Sequence, residues 1–169
     1  LIPALDKTGA NFESGRIFLP QLILSAGVAQ AAFEVIKSKI SKDGNSVSKG
    51  KVVLATVKGD IHDIGKNIVK VLLENYGYEV IDLGRDVEYQ AVADAAMPDD
   101  VKLVGLSALM TTTLKSMEET IALLRKVKPE IKIVVGGAVL TPEYAEKIGA
   151  DFYAKDAKAT VDAARQIYG

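Results

Sequence analysis

The spacing of apolar positions changes character once along the chain. Between residues 17 and 40, Ile17, Phe18, Leu19, Leu22, Ile23, Ala26, Ala29, Phe33 and Ile36 recur at helical intervals, with Pro20 suited to a first turn. They predict an amphipathic helix. A shorter helix around residues 1–9 pairs with it across a turn at 11–15, making a helical hairpin. Residues 41–50 are polar, small and rich in Gly and Ser, which is linker composition. From residue 51, short β-branched runs (51–57, 79–83, 102–106, 131–135, 151–154) alternate with helical stretches (64–76, 88–97, 114–127, 141–148, 157–168). Strands this continuously apolar are covered on both faces, which implies a parallel sheet. Right-handed crossovers then predict the fold class: α/β, a flavodoxin-like, doubly wound five-stranded parallel sheet of order 2-1-3-4-5, preceded by a small helical cap. The expected organisation is a cap over residues 1–41, a linker over 42–50 and an α/β domain over 51–169.

Composition narrows the chemistry. At 169 residues and 49% apolar, the chain holds one ordinary domain plus a small appendage around a well-buried core. Its 21 basic and 22 acidic residues leave a formal charge of -1 and no basic stripe, so nucleic acid is not an expected partner. No apolar run reaches the roughly 20 residues of a membrane span, and no basic region followed by an apolar core opens the chain. A cytoplasmic protein without a membrane partner is expected. There is no cysteine and one histidine, which excludes disulfides, thiolate nucleophiles, Cys-based zinc sites and multi-His cages. A metal needing one protein nitrogen therefore arrives pre-chelated. The first residue is Leu1, inside a helical pattern, as expected of a piece excised from a longer polypeptide.

In a doubly wound sheet ligands sit beyond the carboxyl ends of the strands, which selects three loops. The first runs Gly59-Asp60-Ile61-His62-Asp63-Ile64-Gly65 and concentrates the sole histidine, two acids and two glycines. A lone loop histidine often does no more than cap the next helix. Here Asp60 stands two residues before His62, where it can accept from one imidazole nitrogen and leave the other for a metal. Gly59 and Gly65 relieve bulk where a large ligand approaches backbone. The second loop, 107–113, carries hydroxyls at Ser107, Thr111, Thr112 and Thr113, beyond what an N-cap needs. The third has Gly136-Gly137, then Thr141 and Pro142 as cap and first helical residue. Paired glycines also let a flat ligand lie against bare backbone. Neither a phosphate loop nor a dinucleotide-binding glycine turn is present.

Taken together, Asp60/His62/Gly65, Ser107/Leu109 and Gly136/Gly137 closely resemble the vitamin B12-binding domain of cobalamin-dependent methyltransferases. The runs 52–69 and 12–21 look specifically like methionine synthase, the second of them matching the family's helical cap. The resemblance implies a cobalamin cofactor, cycling between methylcobalamin and cob(I)alamin with cob(II)alamin as the third cobalt state. It makes His62 the axial ligand to cobalt, with Asp60 orienting it and Thr113 continuing the relay where the family has serine. The loop Gly59, Asp60, Ile61, His62, Asp63, Ile64 and Gly65 would meet the corrin. Ser107, Leu109, Thr111, Gly136 and Gly137 would hold the nucleotide tail, with Tyr153 and Ala157 on its far side. Phe12 and Leu19 match the cap residues that cover the cobalt-bound methyl. The family's cap has four helices and this chain holds about two, so the resemblance implies a truncated cap.

The activity implied is methyl carriage within methionine synthase, with methyltetrahydrofolate as donor and homocysteine, activated by zinc on another domain or subunit, as acceptor. Three alternatives stand beside it: a free-standing corrinoid protein of a methylamine, methanol or aryl-ether methyltransferase system, an adenosylcobalamin-binding mutase or regulator domain, and a flavodoxin-like interaction domain without cofactor.

Overall fold

The computed structural model describes residues 2–40 and 48–169. A helical hairpin, α1 (Ile2–Glu13) and α2 (Leu19–Ile40), precedes β1 (Lys51–Thr56), α3 (Ile64–Asn75), β2 (Glu79–Asp82), α4 (Tyr89–Ala96), β3 (Val101–Ser107), a 3-10 turn (Thr111–Thr113), α5 (Leu114–Val127), β4 (Lys132–Gly136), α6 (Pro142–Lys147), β5 (Phe152–Ala154) and α7 (Ala157–Tyr168). All strand pairs are parallel and the order is β2-β1-β3-β4-β5, the flavodoxin-like order expected among the common doubly wound ones.

Why the strands lack polar alternation is visible in the two cores. Val53, Ala55, Val104, Leu106, Ile133 and Val135 point to one face and bury against α4 and α5, with Met117, Ile121 and Leu124. Val52, Leu54, Leu103 and Val134 point to the other and bury against α3 and α7, with Leu72, Leu73, Val161 and Ala164. A strand buried on both faces has no room for a polar period. At β1 the chain turns one way to β2 and then crosses back to β3, so the loops after β1 and β3 lead to helices on opposite faces. That divergence opens the crevice in which the site lies.

The hairpin packs on α3. Leu22 is fully buried in the α3–α7 core, where Phe12 and Leu19 are also packed, half-buried. Gly9 lies so close to the Tyr76 ring that a Cβ would stand 2.3 Å from it, so only glycine fits there. Helix α1 is longer than the expected 1–9 because its stop signal lies further on. Gly15, at φ 72, gives its N–H to Phe12 O (3.0 Å) while Arg16 N–H reaches Asn11 O (2.8 Å), the paired bonds that close a helix on a left-handed glycine. The opposite face of α2 is open to solvent, with Leu24, Val28 and Val35 exposed. Side chains of Ala26, Phe33 and Ile36, and most of the expected linker at 41–47, lie outside the described residues. Its end is fixed: Ser48 Oγ accepts from Gly50 N and Glu79 N, both at 3.1 Å, which ties it to the start of β2. Among the described residues no helix is long and apolar enough to cross a membrane.

Candidate functional site

Beyond the carboxyl ends of the strands lies a cleft of about 760 Å3. Its walls come from the loops after β1, β3, β4 and β5 and from the flanks of α3 and α7.

Asp60 is the anchor of the first loop. It is fully buried, and each carboxylate oxygen has separate work. Oδ1 accepts the backbone N–H of His62 (3.0 Å) and stands 2.9 Å from His62 Nδ1. Oδ2 accepts the N–H groups of Leu109 (2.7 Å) and Met110 (3.2 Å), which ties the loop after β1 to the loop after β3. Thr113 Oγ1 lies 2.9 Å from Oδ2 and 2.8 Å from Met110 O, with one proton for the two acceptors. Burial pushes the Asp60 carboxyl up, but the bonds from His62 N, Leu109 N, the imidazole and Thr113 outweigh it and hold the pKa down to about 2. An ionised carboxylate can only accept, so Nδ1 of His62 must carry the proton that it shares with Asp60. Nε2 is left with a free lone pair on a ring that is half exposed at the cleft.

The loop is braced from a direction the sequence did not announce. Asp86, between β2 and α4, accepts Gly59 N–H on Oδ1 at 2.7 Å and donates its own N–H to Asp60 O at 2.9 Å. It does so at φ 54, a left-handed conformation that Asp tolerates better than most residues. Gly59 itself sits at φ 83.

Of the expected residues, Ile61, His62, Asp63, Ile64, Gly65, Ser107, Leu109, Gly136, Gly137, Tyr153 and Ala157 all line the cleft. Gly59, Asp60 and Thr113 stand behind it as support, and Thr111 is exposed in the 3-10 turn outside the lining. Phe12 and Leu19 are not among the residues lining this cleft; both are half-buried against the α3–α7 core. Thr141 caps α6 by accepting Tyr144 N–H at 3.2 Å, with Pro142 at the first helical position. Sequence reading missed Lys66, Arg85, Lys155 and Thr160, which also line the cleft. Thr160 had a signal: it is a polar residue on the same buried helical stripe as Val161 and Ala164. Lys66 had none, because its partner Asp82 is sixteen residues away; its buried ammonium is held by Asp82 Oδ1 and by Asn67 Oδ1 at 2.9 Å.

The cleft suits a large, flat, mostly apolar ligand with polar extensions. Ile61, Ile64 and Leu109 are 60%, 78% and 41% exposed there, far more than an uncovered surface normally leaves to large apolar side chains gathered at one site. At Gly65 a Cβ would stand in open space, so the backbone is bare toward the opening. Gly137 is required by the fold as well: at φ 140, a Cβ would fall 1.8 Å from Ala108 O. The donor set is one imidazole nitrogen, a buried carboxylate behind it and uncharged hydroxyls, which fits a metal that brings its own equatorial chelate and needs one axial nitrogen.

Comparison with known proteins agrees with this donor chemistry. A family model described as a B12 binding domain matches residues 50–164, and a second B12 binding domain model matches residues 1–37. The chain is 38% identical over 169 residues to dimethylamine corrinoid protein 1 of Methanosarcina acetivorans, covering 99% of this chain and 79% of that protein. It is 38% identical over 165 residues to dimethylamine corrinoid protein 3 of Methanosarcina mazei, covering 96% and 99%. The methanol:cobalamin methyltransferase complex MtaBC of Methanosarcina barkeri contains a chain that superposes with a TM-score of 0.84 at 32% identity, over 99% of this chain and 65% of that one.

Proposed function

We propose, for a chain that belongs to the B12 binding domain family, that it is a free-standing corrinoid protein carrying methyl groups for a methyltransferase subunit of the methylamine or methanol class. Its cofactor is a corrinoid. The methionine synthase reading, with methyltetrahydrofolate and homocysteine as donor and acceptor, gives way, because the relatives favour the first alternative beside it. Nothing in the motifs separates the two. The loops that hold the cofactor serve either system, while donor and acceptor chemistry belongs to other domains or subunits.

When bound, the corrinoid supplies a cobalt centre that accepts a methyl group and passes it on. This chain's residues do the holding and the tuning. His62 Nε2 would hold the cobalt of the bound corrinoid, and Asp60 fixes the tautomer and the ring plane of that imidazole through Oδ1. Leu109 and Met110 N–H groups and the Thr113 hydroxyl lock the carboxylate in turn, so the imidazole sits on a preorganised support rather than a mobile loop. Ile61, Ile64 and Leu109, exposed at the cleft, would give the corrin an apolar seat. Gly136-Gly137 and Ser107, with Tyr153 and Ala157, line the way inward for the tail.

The observation that carries the reading is the Asp60–His62 pair, which leaves one imidazole lone pair facing an apolar cleft. Its test is transfer: protein loaded with methylcobalamin should give up its methyl to, or regain it with, a methylamine- or methanol-type partner subunit. Turnover with folate and homocysteine domains alone would restore the methionine synthase reading.

A further inference from the structure

The turn that precedes His62 is closed by Asp60 N–H on Val57 O at 3.0 Å, with Gly59 inside it at φ 83. A turn of this kind pairs its own ends and leaves the Gly59 N–H and the Asp60 carbonyl to find partners elsewhere. Asp86 takes both, at 2.7 Å through Oδ1 and at 2.9 Å through its own N–H. Three consecutive peptide units, 58–59, 59–60 and 60–61, are thereby held by one hydrogen bond each. They carry the Cα from which the Asp60 carboxylate hangs, and that carboxylate aims the imidazole of His62.

Asp86 does this from outside the cleft lining, as an exposed residue and in a strained conformation. Among the described residues it is the one non-glycine with positive φ, at 54. Leaving β2 does not demand that strain, since Gly84 already turns the chain at φ 85. The loop that bears Asp86 is anchored in its turn. Asp82, fixed by the Lys66 ammonium, accepts Gly84 N–H at 3.0 Å, Gly84 O accepts Thr56 N–H at 3.0 Å, and Val57 pairs with Val87 in a single parallel bridge beyond the sheet. Asp60 is thus gripped twice: through its carboxylate by Leu109, Met110 and Thr113, and through its backbone by Asp86. A strained residue whose bonds all lead to one site serves that site.

We propose that Asp86 is a positioning residue for the axial imidazole: by clamping Gly59 N–H and Asp60 O it sets where His62 Nε2 stands, and its accepting oxygen, rather than its charge, does so. This rests on the corrinoid reading of the cleft. Two variants separate the terms. Asp86→Gly keeps the left-handed backbone and deletes the acceptor, whereas Asp86→Asn keeps backbone and acceptor and deletes the charge. Each full-length protein is loaded with methylcobalamin, and its visible spectrum at pH 7 gives the ratio of imidazole-ligated to unligated cofactor, with His62→Gly as the unligated reference. Loss of a support behind a metal ligand typically costs about tenfold or more, so the ratio should fall about tenfold in Asp86→Gly and stay parental in Asp86→Asn. Without cofactor, Asp86→Gly should melt within about 3 °C of the parent, as an exposed substitution does. A parental ratio in Asp86→Gly, an equal fall in Asp86→Asn, or a much larger drop in melting temperature, which would make Asp86 a residue of the fold, would overturn the assignment. A parent that bound no methylcobalamin would overturn the corrinoid reading itself, and this inference with it.

Discussion

Replacing Asp60 by Asn keeps the shape of the side chain and removes its charge, and the hydrogen-bond geometry fixes the consequences. The carboxylate accepts two N–H groups on Oδ2 and a backbone N–H plus the imidazole on Oδ1. An amide has one accepting oxygen, so one of these sets must face an NH2 group. With the NH2 turned toward Leu109 and Met110, two buried donors lose their acceptor. With it turned toward His62, the backbone N–H of His62 loses its acceptor, Nδ1 must accept, and the imidazole proton moves to Nε2 and blocks the metal-facing lone pair. The first orientation costs about 2–4 kcal/mol from two unsatisfied donors; the second costs about 1–3 kcal/mol from one and silences the site. For a domain of this size about 1 kcal/mol moves the melting point by roughly 3 °C, so Asp60→Asn should melt about 3–12 °C below the parent at pH 7. The sign of the pH dependence is fixed as well. Asp60 titrates at about 2 when folded, against an ordinary 3.8, so its contribution is present above about pH 4 and disappears as pH falls toward 2. The gap between parent and variant, measured by urea denaturation, should close over that window. A melting difference under about 2 °C at pH 7, or a gap that widened in acid, would refute this account of the carboxylate.

Three further outcomes are expected. Gly137→Val should lose folding stability as well as cofactor affinity, by chemical denaturation and by binding titration, because its Cβ meets Ala108 O. Lys66→Met should cost about 1–3 kcal/mol by urea denaturation, since Asp82 keeps the longer pair to Lys70 (3.4 Å) and the Gly84 N–H, and the loss should be smaller in an Asp82→Asn background; additive losses would deny the pairing. Phe12→Ala with Leu19→Ala should lower the melting temperature and leave photolysis of bound methylcobalamin at the parental rate, since both side chains pack in the α3–α7 core. Faster photolysis would put them over the cobalt.

The strand order and the three site loops were legible because each rests on a local pattern: unbroken apolar runs, a sole histidine with an acid two residues before it, and paired glycines ahead of a capped helix. What escaped depends on contacts distant in sequence. Asp86 reaches Gly59 across 27 residues, Lys66 meets Asp82 across sixteen, and neither pair carries a spacing that a helix or strand would reveal. The hairpin illustrates the same limit. Its helices were evident from their period, yet the side on which Phe12 and Leu19 lie is set by how Leu22 and Gly9 seat on α3. The methyl donor and acceptor were illegible for another reason, since the residues that hold a corrinoid are indifferent to which subunit delivers the methyl.

Whether His62 supplies the axial nitrogen can be tested directly, because His62 is the chain's only histidine. Growth on 15N-histidine labels that one imidazole, and the electron paramagnetic resonance spectrum of the cob(II)alamin-loaded protein reports the nucleus bonded to cobalt. A 14N ligand splits each line into three and a 15N ligand into two. With His62 on the metal, labelling converts triplets to doublets and His62→Gly removes the protein-derived splitting. Triplets that survive labelling would mean that the cofactor's own base remains on the metal, and the site described here would not be the one that controls it.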